Sequence, residues 1–376
     1  MPRGSTCPAP RRTAARRTAA RRTAARRTAV GVGTRIRSRA SALLVAVLLV
    51  AGCGGGTGRA GDDRVGAAPP GFPVTVANCG VTTTYERPPR RAVSLNQHAT
   101  EVMLALGLER SMVGTGYLDD RILPEFQAAY DQVKVLSKEY PSYETLLAAE
   151  PDFVYGGWAS TFEEKEGRAR ATLTKAGIDT HLNIEECPKG PVTMATVEEE
   201  IRTIAKIFGV PDRAERRIVS LRAVLNRVRA RLAAPAPAAA PVKVAVYDSG
   251  DKTVFTAGGA GIGNEIIRLA GGTNLFSDVR KAYGDVSFEQ LAARAPEVIV
   301  IYDYGDQSAA DKRKFLLSNP ALKDVPAIRN KRFAVLPLSS TVTGVRTAAA
   351  VESLARQLHP ARFPDRPPTR KTDRLG

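Results

Sequence analysis

One stretch of the sequence restricts the fold more than any other, namely residues 212–233. Apolar residues recur there at steps of three and four, the spacing of one face of an α-helix, at Ile218, Leu221, Leu225, Val228 and Leu232. A helix of this length is about 30 Å long, close to the diameter of a small domain. The sequence therefore predicts a long, stiff helix that begins after Pro211 and ends at the Ala/Pro-rich residues 233–241.

Short apolar runs alternate with amphipathic segments on both sides of this helix. Phe153–Tyr155 is typical of the strands before it, and Val298–Tyr302 reads as a fully buried strand after it. Helices are predicted over Thr100–Leu108, with Thr100 as a cap, and over Glu164–Ala176. Such alternation is typical of parallel α/β sheets. We therefore predict an α/β fold of two lobes with central parallel sheets, joined by a single long helix. The predicted boundaries are 72–196 for the N-terminal lobe, 197–241 for the helical linker, 242–360 for the C-terminal lobe and 361–376 for a tail.

The first 52 residues have the features of a secretory signal. They contain twelve arginines, no lysine and no acidic residue, and they end with the apolar run Ser41–Gly52. That run is too short to span a hydrocarbon core of roughly 30 Å as a helix, and a basic flank before a short apolar run is typical of a signal peptide. We predict that residues 1–52 are removed. Because they carry most of the net charge of +17, that charge does not indicate a nucleic-acid partner.

The apolar run leads into Leu49–Cys53 (LVAGC), which resembles a bacterial lipobox. This resemblance predicts a lipid on Cys53 that anchors the protein to the outer face of the cytoplasmic membrane. Residues 53–71 are rich in glycine and polar residues, as expected of a flexible tether. A short membrane anchor with an incidental cysteine is the alternative interpretation.

Two further cysteines lie in the predicted folded part, Cys79 and Cys187. Cysteines of a secreted protein are in an oxidising compartment, where disulfides form and persist. We predict that these two are bridged and hold an N-terminal β-hairpin to the first lobe. Two free buried thiols are the alternative.

Several segments of the sequence resemble one family of transport proteins. They are Arg90–Leu95 (RRAVSL), Ala99–Glu101 (ATE), Ala105–Leu108 (ALGL), Leu146–Tyr155 (LLAAEPDFVY), Phe255–Gly272 (FTAGGAGIGNEIIRLAGG), Asn274–Phe276 (NLF) and Phe288–Val300 (FEQLAARAPEVIV). Together they resemble, in order, the ABC-transporter substrate-binding proteins whose two lobes are joined by one long helix. That group handles ferric siderophores, haem and cobalamin, and the resemblance extends over residues 72–360.

The resemblance implies a bilobed periplasmic-binding-protein-like fold with a ligand in the cleft between the lobes. It also implies an ABC permease as partner. One glutamate on each lobe would dock into arginines of that permease. The second-lobe glutamate falls on Glu289. For the first lobe, Glu163 or Glu164 is favoured and Glu166 remains open. A solvated carboxylate at a helix end is the alternative at each position.

Ligands of open α/β sheets collect where the parallel strands end. We therefore expect ligand contacts from the polar and aromatic residues that follow the predicted strands, which suit a ligand with a flat organic part and polar edges. These residues are Asn96, Gln97, His98, Tyr117, Lys138, Tyr140, Trp158, Asp248, Tyr304 and Ser340. Packing between or within lobes is an equal alternative for Trp158, and helix capping or packing for His98.

Other classes of function are disfavoured by the motifs. The three histidines, His98, His181 and His359, are widely separated, so neither a bare metal ion nor a resident cofactor is expected. The glycine-rich segment 258–263 does not match a dinucleotide or phosphate-loop fingerprint. G-x-S-x-G and H-E-x-x-H are absent, and the S-x-x-K at 249–252 follows a strand as an apparent turn. A secreted enzyme is therefore the lesser alternative.

The sequence as a whole predicts a lipid-anchored, monomeric solute-binding protein of an ABC importer. An iron–siderophore chelate is the expected ligand on the basis of the resemblance, with cobalamin, haem or another large cofactor-like molecule as the alternative. Lys138 is the only basic residue among the predicted cleft residues. An anionic chelate would favour more cations, so this composition leaves room for a neutral ligand.

Overall fold

The computed structural model describes residues 68–233 and 241–364. The sheets of this part all belong to one compact unit. The predicted signal peptide, the lipidation site at Cys53 and most of the predicted tether lie outside the described residues, as does most of the predicted tail.

The first half is built on a five-stranded parallel sheet with the strand order β5-β4-β3-β6-β7. Its central strands β3 and β6 are buried along their whole length, as expected of a sheet covered on both faces. The elements are β1 (Val74–Asn78), β2 (Val81–Tyr85), β3 (Ala92–Leu95), α1 (Gln97–Ala105), β4 (Met112–Gly116), α2 (Gln127–Tyr130), β5 (Val135–Ser137), α3 (Tyr143–Ala148), β6 (Phe153–Gly156), α4 (Arg170–Lys175), β7 (Asp179–Leu182) and α5 (Met194–Ile207).

The predicted disulfide is present in the structure. Cys79 lies at the turn of the antiparallel hairpin β1-β2, and its Cα atom is 5.4 Å from that of Cys187, beyond β7. Beside it, the Asn78 amide group donates to the Leu182 carbonyl at 2.8 Å and accepts from the Leu182 amide at 2.8 Å. The hairpin is thus joined to the edge strand of the first sheet by one covalent and two hydrogen bonds.

Two helices of the first half differ from their predicted limits. The first was expected to start at Thr100, but α1 starts at Gln97, because the Thr100 hydroxyl is buried against Ser94 at 2.8 Å and Thr115 at 2.9 Å instead of capping. A helix was also expected from Glu164 to Ala176. Gly167 adopts a left-handed φ of 72° there, so a short 3-10 turn precedes it and α4 begins only at Arg170.

The second half follows the long helix α6 (Pro211–Ala233) and is built on a four-stranded parallel sheet with the order β10-β8-β12-β13. Strands β9 and β11 form a separate antiparallel pair. Strands β9, β10 and β11 and helices α9 and α10 were not predicted. The elements are β8 (Val242–Tyr247), β9 (Val254–Ala257), α7 (Ile262–Leu269), β10 (Gly272–Asn274), β11 (Tyr283–Val286), α8 (Phe288–Arg294), β12 (Val298–Asp303), α9 (Ala309–Ser318), α10 (Pro326–Arg329), β13 (Phe333–Pro337) and α11 (Thr347–Leu358).

Helix α6 connects the two halves along its length. Near its start, the Arg213 guanidinium donates to the Leu106 carbonyl of the first half at 2.9 Å. Near its end, the Leu232 carbonyl accepts from Arg362, which follows the second half, at 2.8 Å. Its buried face carries Ile218 and Val228. The predicted fold class, two parallel α/β sheets joined by one long helix, is confirmed.

The apolar content of the helices is modest. Within residues 68–233 and 241–364, no helix is both long enough and apolar enough to cross a bilayer.

Candidate ligand-binding cleft

Asn96 organises the residues at the carboxyl edge of the first sheet. It follows β3 directly, is fully buried and has a φ of 78°. Its side-chain oxygen accepts from the Tyr140 hydroxyl at 3.1 Å, the Trp158 amide at 3.3 Å and the Thr161 hydroxyl at 3.1 Å. Its Nδ2 atom has no partner among the described residues. Asn96 therefore connects the loops that follow β5 and β6, and its Nδ2 group remains without an acceptor among the described residues.

Two aromatic pairs lie around this asparagine. The rings of Tyr117 and Tyr140 are stacked, with centroids 4.4 Å apart and planes at 6°. Trp158 meets the His98 ring edge to face at 5.1 Å. The Arg168 guanidinium lies 5.3 Å from the centroid of the Tyr140 ring. The predicted residues Tyr117, Tyr140 and Trp158 are thus brought to the same edge of the sheet as half-buried aromatic side chains.

Gln97 and His98 point into the protein and leave no group free for a ligand. The Gln97 side chain is fully buried and bonds to Glu101 at 3.1 Å. His98 is buried between two glycines: a Cβ atom on Gly157 would lie 2.5 Å from its ring, and one on Gly344 would lie 3.1 Å from its Cβ. Burial lowers the pKa of His98 to about 4, so the imidazole is neutral at neutral pH. For His98 the geometry favours packing, which was one of its two alternatives.

Asp248 and Tyr304 meet at the carboxyl edge of the second sheet. The Tyr304 hydroxyl donates to Asp248 Oδ1, and the buried Lys312 ammonium lies 4.1 Å from the centre of the Tyr304 ring. The same ammonium donates to the Tyr302 carbonyl at 2.7 Å. Burial raises the pKa of Asp248, and burial together with the bond to Asp248 raises that of Tyr304 to about 12. Lys312 was not predicted, because helix α9 that carries it was not predicted.

A further aromatic pair, Phe255 and Tyr283, lies on the unpredicted strands β9 and β11. Their rings stack with centroids 5.5 Å apart. Burial, the Tyr302 phenol and the carboxyl groups of Glu185 and Asp248 all raise the pKa of Tyr283. Since Glu185 belongs to the first half and Asp248 to the second, Tyr283 lies where the halves meet. The only signal in the sequence was the pair Val254-Phe255, two residues that favour strands.

The charges at the first edge are mixed: the exposed cations Arg121 and Lys138 lie in the same loops as Asp119 and Glu139. Lys138 is exposed and makes no hydrogen bond or ion pair with the described residues, while Asp119 and Glu139 lie in the same region. Burial and then the charges of Glu139 and Asp120 raise the pKa of Asp119. Of the remaining predicted residues, Ser340 is half-buried at the end of a 3-10 turn after β13.

The two halves touch through the segments that follow β7 and β13. The Asn183 side chain donates to the Thr343 carbonyl at 3.1 Å, and the Thr343 amide donates to Glu185 Oε2 at 2.6 Å. Glu185 is buried, and its burial raises the pKa of the carboxyl group to about 7. These bonds place the carboxyl edges of the two sheets on either side of one contact region, the arrangement expected of a cleft.

The predicted docking glutamates are all exposed. Glu163, Glu164 and Glu166 lie in the loop that follows β6. Glu289 is in the first turn of α8, where its own backbone amide and the Ser287 hydroxyl lower the pKa of its carboxyl group. Because α8 leads through a short turn into β12, its N-terminus lies at the carboxyl edge of the second sheet. Both sets of glutamates therefore lie at the edges that carry the aromatic residues.

No group of three or more His, Cys, Asp or Glu side chains able to hold a metal ion occurs among residues 68–233 and 241–364. The aromatic surfaces and scattered hydrogen-bonding groups fit an organic molecule or a metal already enclosed in a chelator.

Comparison with known proteins agrees with this geometry. The family model described as "Periplasmic binding protein" matches residues 93–339. A vitamin B12-binding protein of Yersinia pestis (strain Pestoides F) is 28% identical over 221 residues, which cover 59% of this chain and 71% of that protein.

Two solved structures share both the fold and part of the sequence. A periplasmic binding protein from Veillonella parvula is 31% identical with a TM-score of 0.69, over 76% of this chain and 97% of that one. A protein of an ABC-type Fe3+-hydroxamate transport system from Saccharomonospora viridis is 25% identical with a TM-score of 0.64, over 76% of this chain and 99% of that one.

Proposed function

Since the chain belongs to the periplasmic binding protein family, we propose that its cleft captures an iron–siderophore chelate of the hydroxamate type for an ABC importer. Proteins of this family are extracytoplasmic, bind small ligands such as siderophores, haem and vitamin B12, and deliver them to ABC permeases; they are not enzymes. For this chain we propose, in addition, a ligand, the residues that contact it and the way in which the protein is attached to the membrane.

One observation carries the choice of ligand: aromatic pairs line both edges, and the free charges of the first edge are balanced rather than cationic. Tyr117–Tyr140 and Phe255–Tyr283 provide the aromatic surfaces. Among the described residues of the first edge, the free cations are Lys138 and Arg121, which the carboxyl groups of Asp119 and Glu139 balance in number, while Arg168 is buried and donates to the Thr161 carbonyl at 3.1 Å. An anionic chelate would gain little from such a site.

Ferric chelates differ in the charge that this site would meet. Each hydroxamate carries a single negative charge, so a ferric centre with a full set of hydroxamates is neutral, whereas a ferric catecholate is strongly anionic. Haem carries propionate groups. An aromatic cleft with no excess of free cations therefore fits a hydroxamate chelate better than a catecholate or haem. We assign contacts with the ligand to Tyr117, Tyr140, Trp158, Lys138, Asp248, Tyr304 and Ser340, with Asn96, Gln97 and His98 supporting them from below.

Cobalamin is the second candidate. Its corrin carries amide groups rather than carboxylates on its rim, so it does not conflict with the acids of the cleft. The Yersinia relatives that are 28% identical to this chain are vitamin B12-binding proteins. Their sequence similarity favours cobalamin as the ligand.

The ligand can be tested through Trp158, because it is the single tryptophan of the chain. Ferrioxamine, cyanocobalamin, hemin and a ferric catecholate are added in turn to the purified protein, and tryptophan fluorescence and calorimetry are recorded. We expect ferrioxamine to bind at one molecule per chain and to leave unchanged. Tighter binding of hemin or the catecholate contradicts the charge assignment, and binding of cyanocobalamin alone supports the second candidate.

Attachment by a lipid at Cys53 is part of this proposal. It is supported by the LVAGC segment and by the short apolar run before it. Mass spectrometry of the protein from host membranes should find a chain that starts at Cys53 with acyl groups on that residue. Cys53→Ser should release the protein from the membrane fraction, and an unmodified Cys53 in a membrane-bound chain contradicts the assignment.

A further inference from the structure

Arg346 is a buried cation that reaches from one half of the molecule into the other. It directly precedes α11 in the second half. Its Nε and Nη2 atoms donate to the two carboxylate oxygens of Glu101, on α1 of the first half, each at 2.6 Å. The side chains are 8% and 1% exposed, so this paired contact is shielded from water. Such a two-bond Arg–carboxylate contact fixes direction as well as distance.

The rest of the guanidinium holds the loop that follows β4. Nη1 donates to Asp120 Oδ2 at 3.0 Å and to the Ser339 hydroxyl at 3.1 Å, and Nη2 donates to the Arg121 carbonyl at 2.5 Å. An arginine side chain has five N–H donors, and here each has an acceptor. Ser339 in turn donates to Asp120 Oδ2 at 2.8 Å. Arg346 is therefore saturated by acceptors drawn mostly from the opposite half.

The first half is built to receive this cation. Glu101 Oε1 also accepts from the Leu123 amide at 2.9 Å and from the Gln97 side chain at 3.1 Å. Gln97 accepts from the Asp120 amide at 3.2 Å. Residues 120–123 are thus tied to α1 at several points, and Arg346 closes the set from the other side.

The clamped segments are the ones that border the cleft. The loop after β4 begins at Tyr117, whose ring stacks on Tyr140, and the segment after β13 contains Ser339 and Ser340. We propose that Arg346 is a positioning residue of the cleft: it touches no ligand, but it sets the separation of Tyr117 from Ser340 and so pre-forms the site. This inference rests on the proposed binding function only for its effect on affinity. The clamp itself is independent of any ligand.

The test compares Arg346→Met, Arg346→Lys and the pair Asp120→Asn/Ser339→Ala with the unchanged chain. The double variant removes the outer half of the clamp and keeps the buried Glu101–Arg346 contact, so it remains informative if Arg346→Met does not fold. Arg202→Met is the control for removing an ion-paired arginine elsewhere, because Arg202, more exposed than Arg346, pairs with Glu215 between α5 and α6 at 2.6 Å, among helices away from the cleft segments.

Amide hydrogen exchange without ligand is the first measurement. Arg346→Met should speed exchange in residues 117–123 and 339–344 while α6 keeps its protection, and Arg202→Met should leave both cleft segments unchanged. Uniform acceleration over the chain would reduce Arg346 to a stabilising residue and overturn the inference.

Affinity for ferrioxamine, read from Trp158 fluorescence, is the second measurement. We expect Arg346→Met to weaken binding by about tenfold, within the usual range of coupling between sites, with Arg346→Lys in between. Unchanged affinity in a variant whose cleft segments have loosened contradicts the positioning role. If the unchanged chain binds no ferrioxamine, the ligand assignment fails while local loosening would still establish the clamp.

Discussion

Glu185 is a buried acid at the contact between the two halves, and it should make the stability of the molecule depend on pH. It lies in the first half, accepts from the Thr343 amide of the second half at 2.6 Å, and its Oε1 atom has no partner among the described residues. Burial raises its pKa from an ordinary 4.5 to about 7. The folded protein therefore favours the protonated acid, and it bears the penalty of a buried carboxylate once the pH exceeds this value.

Glu185→Gln should remove this pH dependence. Below pH 4.5 the acid is protonated in both the folded and the unfolded chain, and above pH 7 it is ionised in both. Between these limits the free energy of unfolding of the unchanged chain should fall by about 3 kcal/mol because of this group. Urea unfolding at pH 5 and pH 8 measures the difference between the two chains. Glu199→Gln, at an exposed acid on α5, is the control, and equal pH dependence in the unchanged and Glu185→Gln chains would disprove the prediction.

The sequence predicted at which edge of the sheet the site residues lie, but not the direction in which their side chains point. The end of a strand located Asn96, Gln97 and His98 at the correct edge of the sheet, yet all three are buried. Whether a side chain after a strand turns outward depends on partners distant in sequence, such as Glu101 for Gln97 and Gly344 for His98. Tyr117 and Tyr140 were located correctly, and their stacking comes from tertiary structure.

At the scale of elements, the edge strand β13 is protected by a side chain. Gln357 of α11 accepts from the Val335 amide at 2.8 Å and donates to the Val335 carbonyl at 3.0 Å, as a neighbouring strand would. Pro337, at the end of the strand, has no N–H to offer. Exposed strand edges promote pairing between molecules, and proteins commonly block them.

Gln357→Ala should therefore promote self-association. It frees the two backbone groups of Val335, a residue whose side chain is already 37% exposed. Size-exclusion chromatography over a range of concentrations should show a larger species for the variant only. Gln127→Ala, the same substitution at an exposed glutamine of α2, is the control. A variant that stays the size of the unchanged chain at every concentration would mean that Pro337 and strand length suffice to block the edge.

Helix α6 offers a matched pair of adjacent residues with opposite environments. Ile218 is fully buried, whereas Val219 is 64% exposed. We expect Ile218→Ala to lower the free energy of unfolding by about 2–5 kcal/mol, because it leaves a cavity under the helix. Val219→Ala should change it by less than about 0.5 kcal/mol. Urea unfolding measures both, and similar losses in the two variants would contradict the predicted burial of the apolar stripe.

Elements with a strong apolar pattern were predictable, and those without one were not. Helix α6 and strand β12 match their predicted places within one residue at each end. Helix α9 was missed because its buried face carries Lys312 beside Leu316, a polar residue where the pattern requires an apolar one. Strand β11 was missed because its sequence, Tyr-Gly-Asp-Val, is a poor strand former that depends on pairing with β9.

At the scale of the whole molecule, several connections hold the halves together. They include helix α6, the clamp at Arg346 and the bonds of Asn183 and Glu185 to Thr343. A single stiff helix permits less motion than a hinge of several flexible strands, so closure around a ligand should be small. A permease would then recognise the protein mainly through fixed surface groups at the carboxyl edges of the sheets.

Charge reversal at Glu289 tests this view of docking. Glu289 is exposed in the first turn of α8, and its side chain forms no ion pair with the described residues. If it meets arginines of the permease, Glu289→Lys should abolish uptake of radioactive iron by host cells, because like charges would then face each other. Affinity for the chelate should stay the same, since the carboxylate lies outside the aromatic surfaces. Reversal at Glu163, Glu164 and Glu166, one at a time, identifies the matching group on the first half.

Glu297→Lys is the control for that experiment. Glu297 precedes β12 and so lies at the opposite edge of the same sheet from Glu289. Its reversal changes the total charge by the same amount and should leave uptake intact. Loss of uptake in both variants would indicate a general effect of charge, and loss of affinity with normal uptake in Glu289→Lys would place Glu289 at the ligand instead. A rigid carrier that docks through the edges of its two sheets predicts a single pattern. Glu289→Lys loses uptake while its affinity for the chelate is unchanged, and Glu297→Lys keeps its uptake.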